Sequence, residues 1–185
     1  LKYGQHPDHL NYTLLEDSVG KVHSITATQL QPNTRYYYSV GDISGYKDPD
    51  PEYDWFRTWS SKKSGKATRI WVIGDSGQPG EVSLAVRDAM MDWIEKNPRP
   101  DNEYLNLWLA LGDIAYRSGT NEQFQAALFD TYPNILRNQA LWPVYGNHDA
   151  RRWTYFKLFT LPENGEAGGV PSGTENYNAI DYENV

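Results

Sequence analysis

The chain contains no cysteine. Disulfides, thiolate nucleophiles and zinc–thiolate sites are all excluded at once. Histidine is scarce: His6, His9, His23 and His148 are all there are. No basic stripe is present. The densest run of cations is Lys62, Lys63, Lys66 and Arg69, within a net charge of −7. Nucleic acid needs clustered Lys and Arg to neutralise phosphates, so it is not an expected partner. A small anionic substrate is not excluded, because a metal ion can supply the local positive field. No apolar run approaches the roughly 20 residues of a membrane helix, so no membrane span is expected. A starting Met and a signal-like segment are also lacking, and the sequence reads as an internal piece of a longer protein.

What the chain does hold is ordinary globular material, 39% apolar and 22% charged, rich in Tyr and Trp. That suffices for a core, and the aromatics read as core and strand faces. Over the first sixty residues the pattern is β. Lys21–Thr28 alternates and is rich in β-branched residues. Then Leu30-Gln-Pro-Asn-Thr-Arg-Tyr36 turns at Pro32-Asn33 into a strand, with Tyr36, Tyr38 and Val40 on one face. The spacing L-x-P-x-T-x-Y is a tyrosine-corner signature, in which a Tyr hydrogen-bonds back across the preceding turn. Asp48–Glu52 is a loop, since Pro at alternate positions blocks helix and strand. Trp55–Trp59 reads as a last strand, and 61–67 as a polar linker.

From residue 68 the rhythm changes. Arg69–Ile73 is a short apolar strand. Glu81–Asn97 is a helix with Val82, Ala85, Val86, Ala89, Met90, Trp93 and Ile94 on one face. Leu105–Leu111 is nearly continuous apolar, as a strand covered on both faces should be. Thr120-Asn-Glu-Gln123 opens another helix with a capping box, and Leu141–Tyr145 is a third strand. Strand, helix, strand, helix, strand predicts βαβ crossovers and a largely parallel sheet.

All three strands end alike, in Gly74-Asp75-Ser-Gly77, Gly112-Asp113-Ile-Ala-Tyr116 and Gly146-Asn147-His148-Asp149. Parallel strands point one way, so Asp75, Asp113 and Asn147 fall along the carboxyl edge where open α/β sheets bind ligands. A single Gly-Asp there is usually a turn or a helix cap. Three on successive strands gather two carboxylates and an amide, hard oxygen donors suited to a metal ion.

These blocks resemble the first three motifs of the calcineurin-like metallophosphoesterases, and specifically the purple acid phosphatase branch. The wider family carries a ligating His two residues after the first Asp, where this chain has Gly77. The branch instead has a Tyr three residues after the second Asp, here Tyr116. The first sixty residues are similar to a fibronectin type III domain, which precedes the catalytic domain in that branch.

The resemblance implies an incomplete all-β fibronectin type III-like sandwich over 1–60, a linker over 61–67, and an α/β metallophosphoesterase domain over 68–185. Only the first βαβαβ half of that domain is expected within the chain. Asp75 is expected to bind a ferric ion, Asp113 to bridge two metals, and Tyr116 to bind the ferric ion as phenolate. Asn147 is expected to bind a second, divalent metal: zinc, manganese or iron. His148 is expected to touch the phosphate or protonate the leaving alcohol. The implied reaction is hydrolysis of a small phosphate ester by metal-bound hydroxide, in an exported acid phosphatase. The branch draws further histidine ligands from V-x-x-H and G-H-x-H blocks, and neither occurs in this sequence. The 185-residue chain alone is therefore expected to be inactive.

Asp149 reads as structural, and Arg151 and Arg152 as a solvated pair. Asn176–Val185 alternates like the start of another strand. Two rivals remain. In a GDSL-type esterase Ser76 is the nucleophile, although GNHD departs from the G-x-N-D that scheme needs. In a binding or adhesion module the second domain is only structural. A trypsin-like protease is excluded, because those are β-barrels with an upstream His and Asp.

Overall fold

The computed structural model describes residues 1–60, 65, 67–99 and 105–183. Of the linker expected at 61–67, only Gly65 and Ala67 fall within that range. The chain divides into two compact units, residues 1–65 with 182–185, and residues 66–181.

Unit 1 is all-β. Strands β1 (Lys2–Gly4), β2 (Tyr12–Thr13) and β3 (Arg35–Ser39) are followed by the short hairpin β4 (Gly41–Asp42) and β5 (Gly45–Tyr46), then by β6 (Trp55–Arg57). The main sheet is antiparallel in the order β2-β1-β3-β6. Tyr3, Tyr36 and Trp55 are buried. The Tyr36 hydroxyl accepts a hydrogen bond from the Gln31 N–H at 3.0 Å, across the Pro32-Asn33 turn. Asn33 takes the left-handed conformation that this turn needs (φ 51°). Val40 is exposed, because the strand stops at Ser39. Lys21–Thr28, expected as a strand, forms no ladder and is largely exposed. Alternation and β-branching describe a residue's fit to a pleated surface, and here no partner strand supplies one.

Unit 2 carries the expected alternation. Strand β7 (Ile70–Ile73) leads to helix α1 (Glu81–Lys96) and strand β8 (Leu107–Leu111). Helix α2 (Asn121–Phe124) continues as a π turn over Gln125–Phe129, followed by α3 (Pro133–Leu136), β9 (Leu141–Val144) and α4 (Thr154–Leu158). The strands lie in the order β7-β8-β9, and both pairings are parallel. The Thr120–Gln123 capping box forms as the sequence predicts. Trp108, Phe124, Leu128, Tyr132 and Tyr155 are the largest members of one core cluster. Trp71 stacks on Trp108 with ring centroids 4.9 Å apart.

Two packing expectations hold only in part. The predicted apolar stripe of α1 faces the core only in part: Val82, Val86 and Trp93 are exposed, whereas Met90 and Ile94 of the same stripe pack on the core. Met91, which lies outside the stripe, packs there too, and Arg87 donates to the Thr131 carbonyl at 2.7 Å. The sheet is also not covered on both faces: Val72, Leu111 and Val144 are 51%, 58% and 47% exposed. Residues 176–183 form no strand.

Candidate metal centre

The carboxyl ends of β7, β8 and β9 interlock backbone against backbone. Asp75 N–H donates to the Gly112 carbonyl (3.1 Å), Gly77 N–H to the Asp113 carbonyl (2.9 Å), and Tyr116 N–H to the Gly77 carbonyl (3.0 Å). At Gly77, Gly112 and Gly146 nothing larger fits. A β-carbon on Gly146 would lie 2.0 Å from Asp113 Oδ1. One on Gly77 would lie 2.5 Å from the Ala115 nitrogen. Asp75 and Asp113 both turn through the left-handed region, with φ of 54° and 53°. Asp tolerates that region better than most residues.

These turns bring Asp75, Asp113 and Tyr116 together. The Tyr116 hydroxyl donates to Asp75 Oδ1 and lies 3.2 Å from Asp113 Oδ2. The hydrogen bond to Asp75 raises the phenol pKa well above its ordinary value, helped by desolvation and by the charge of Asp113. A cation bound by the two carboxylates would reverse that logic and favour the phenolate.

His148 closes the group from the β9 side. Its backbone N–H donates to Asp113 Oδ1 at 2.9 Å. Its ring meets the Tyr116 ring edge-on, with centroids 4.5 Å apart. Nδ1 lies 2.8 Å from the Arg117 carbonyl, so Nδ1 carries the proton and Nε2 is left to the site. The same carbonyl accepts from Arg151 Nη1 at 2.9 Å, so Arg151, exposed as expected, is also tied to this loop.

Asn147 is not drawn into this hydrogen-bond set. Its residue is exposed, and its side chain makes no hydrogen bond among the described residues. Ser76 is half-buried and has no hydrogen bond to a histidine among the described residues. No cluster of three or more His, Cys, Asp or Glu able to hold a metal occurs among the described residues. The converging donors are two carboxylates and a phenol.

Asp149 is the residue whose part was least visible in the sequence. It is fully buried. Its carboxylate accepts from Ile114 N–H (2.9 and 3.1 Å) and Ala115 N–H (2.9 Å) on the β8 loop. It also accepts from Gly146 N–H (2.9 Å) on its own loop. Its place in the GNHD block was the only signal available.

A model of the calcineurin-like phosphoesterase family matches residues 68–183. The chain belongs to this family. It is also similar to two plant proteins. One is purple acid phosphatase 15 of Arabidopsis thaliana, 28% identical over 85% of this chain and 27% of that protein. The other is purple acid phosphatase 21 of the same plant, 30% identical over 80% of this chain and 31% of that protein. The chain thus spans about a third or less of the length of these curated relatives. The matched range covers the α/β unit and the three glycine turns described above. Among the described residues, no helix is long and apolar enough to cross a membrane.

Proposed function

We propose that the protein to which this chain belongs is a purple acid phosphatase-type enzyme that hydrolyses small phosphate monoesters at a dinuclear metal centre. The observation that carries this is the convergence of Tyr116 on Asp75 and Asp113. A phenol aimed between two carboxylates fits a hard trivalent cation. The donor set is all oxygen, and the phenol proton sits where it would be displaced by the ion.

In this reading Asp75 and Tyr116 would hold a ferric ion, Asn147 a second metal, and Asp113 would serve both. The second ion is divalent: zinc, manganese or iron. Bound metals supply Lewis acidity and lower the pKa of water. Asp113 Oδ1 accepts from the His148 N–H, which would help hold that carboxylate in place for the metals. The Arg117 carbonyl fixes the His148 ring, which leaves Nε2 to bind a phosphate oxygen or pass a proton to the leaving alcohol. The Ser76 esterase reading has no comparable support, since no histidine stands by that hydroxyl among the described residues.

Two carboxylates, a phenol and an amide are too few for two metals, and the missing donors belong to parts of the protein outside this chain. The 185-residue chain alone is accordingly read as inactive. We read unit 1 as part of a fibronectin type III-like domain, which the Gln31–Tyr36 corner bond supports, and the protein as exported. The test uses the full-length product of the source gene: metal content, the visible absorption of an iron–phenolate, and turnover of p-nitrophenyl phosphate. Two metals, a visible band abolished by Tyr116→Phe, and turnover support the reading. A colourless, metal-free protein without turnover removes it.

A further inference from the structure

Asp149 is a buried carboxylate with no ion pair among the described residues. It faces backbone N–H groups on two loops, and their positions are informative. Ile114 and Ala115 lie between Asp113 and Tyr116 on the β8 loop. Gly146 directly precedes Asn147 on the β9 loop. Asp113 returns the contact by accepting from the His148 N–H (2.9 Å). Each loop thus supplies one carboxylate that grips the other's backbone. The Gly119 backbone lies close against that of Asp149: a β-carbon there would stand 2.6 Å from the Asp149 carbonyl.

We propose that Asp149 is a positioning residue that sets the separation between the Asp75–Asp113–Tyr116 half of the centre and the Asn147–His148 half. This rests on the dinuclear reading above. Asp149 touches none of the candidate ligand side chains and acts through the peptide units beside them. The grip needs an ionised carboxylate, which is acceptor-only on both oxygens. An asparagine can present only one oxygen to these donors. Turned toward Ile114 and Ala115, it sets its own NH₂ against the Gly146 N–H. The asymmetry is useful: the β8 side of the grip survives, and the β9 side, which carries Asn147, is released.

The experiment uses the full-length protein loaded with iron(III) and zinc(II), comparing wild type, Asp149→Asn and Asp149→Glu. In Asp149→Asn the iron and its visible band remain, zinc affinity falls roughly 10–100-fold, as is usual for residues behind metal ligands, and excess zinc restores turnover. Asp149→Glu, which keeps the carboxylate, recovers part of that affinity. Wild-type zinc affinity in Asp149→Asn overturns the proposal while leaving the dinuclear reading intact. Loss of both metals together in both variants assigns Asp149 a folding role alone and also overturns it. Failure of the wild type to take up either metal removes the dinuclear reading first, and this inference with it.

Discussion

Gly77 and Ala115 pack so closely that a β-carbon on the first would lie 2.5 Å from the backbone nitrogen of the second. The neighbouring Ile114 carbon and Asp113 carbonyl are as near, at 2.5 and 2.6 Å. No side chain fits at residue 77, and this is the position where the wider family places a ligating histidine. Relief requires moving backbone, not rotating a side chain. Gly77→Ala is therefore expected to destabilise the protein by about 1–3 kcal/mol, measured by urea unfolding. An unchanged midpoint would show that the loop yields freely.

His148 and Ser76 separate the two hydrolytic readings. His148→Ala in the full-length protein is expected to lower phosphatase turnover roughly 10²–10⁴-fold, the usual worth of a proton-transferring group, with metal content unchanged. Ser76→Ala is expected to leave turnover within a fewfold of wild type. The opposite pattern, with Ser76 essential and His148 dispensable, would transfer the chemistry to a serine esterase.

Tyr155 gives the fold an alkaline limit. It is fully buried and donates to the Pro143 carbonyl at 3.0 Å. Burial, and then the charge of Asp149, raise its pKa well above the ordinary phenol value. Raised in the folded state, the group contributes stability that is complete below about pH 10, where the unfolded phenol ionises, and lost as pH climbs beyond it. Tyr155→Phe is expected to cost about 0.5–1.5 kcal/mol at neutral pH for the lost hydrogen bond. Its stability should also fall less steeply than wild type above about pH 10. Parallel pH profiles would refute this account.

The Thr120 cap is local and separable from the site. The Gln123 N–H donates to its hydroxyl at 3.3 Å, and Gln123 Oε1 accepts from the Thr120 N–H at 3.2 Å. Thr120→Ala is expected to cost about 1 kcal/mol, seen in thermal unfolding, without changing metal uptake. A loss of metal on Thr120→Ala would show that α2 and the metal loops are coupled.

Much of unit 2 could be read in advance because its signals are local. Continuous apolar runs gave β7, β8 and β9, helical spacing gave α1, and a capping box opened α2. Their parallel order followed from the alternation of strands and helices. The recurring Gly-Asp and Gly-Asn turns pointed to Asp75, Asp113 and Asn147, and the family resemblance to Tyr116; the structure joins Tyr116 to both carboxylates and leaves the Asn147 side chain outside that set.

Three features required the third dimension. Lys21–Thr28 has the composition of a strand but lacks a ladder, because pairing depends on a distant partner and not on local pattern. How much of the α1 stripe is covered depends on what packs against it, which a helical period does not contain. Asp149 reads from the sequence as structural, without any indication of what it holds. Only the fold brings Ile114, Ala115 and Gly146 N–H groups to its two oxygens. Residue spacing along one strand end dictates which donors a loop can offer. The distance between loops is fixed by backbone hydrogen bonds across the sheet edge, and those exist only once β8 and β9 lie side by side.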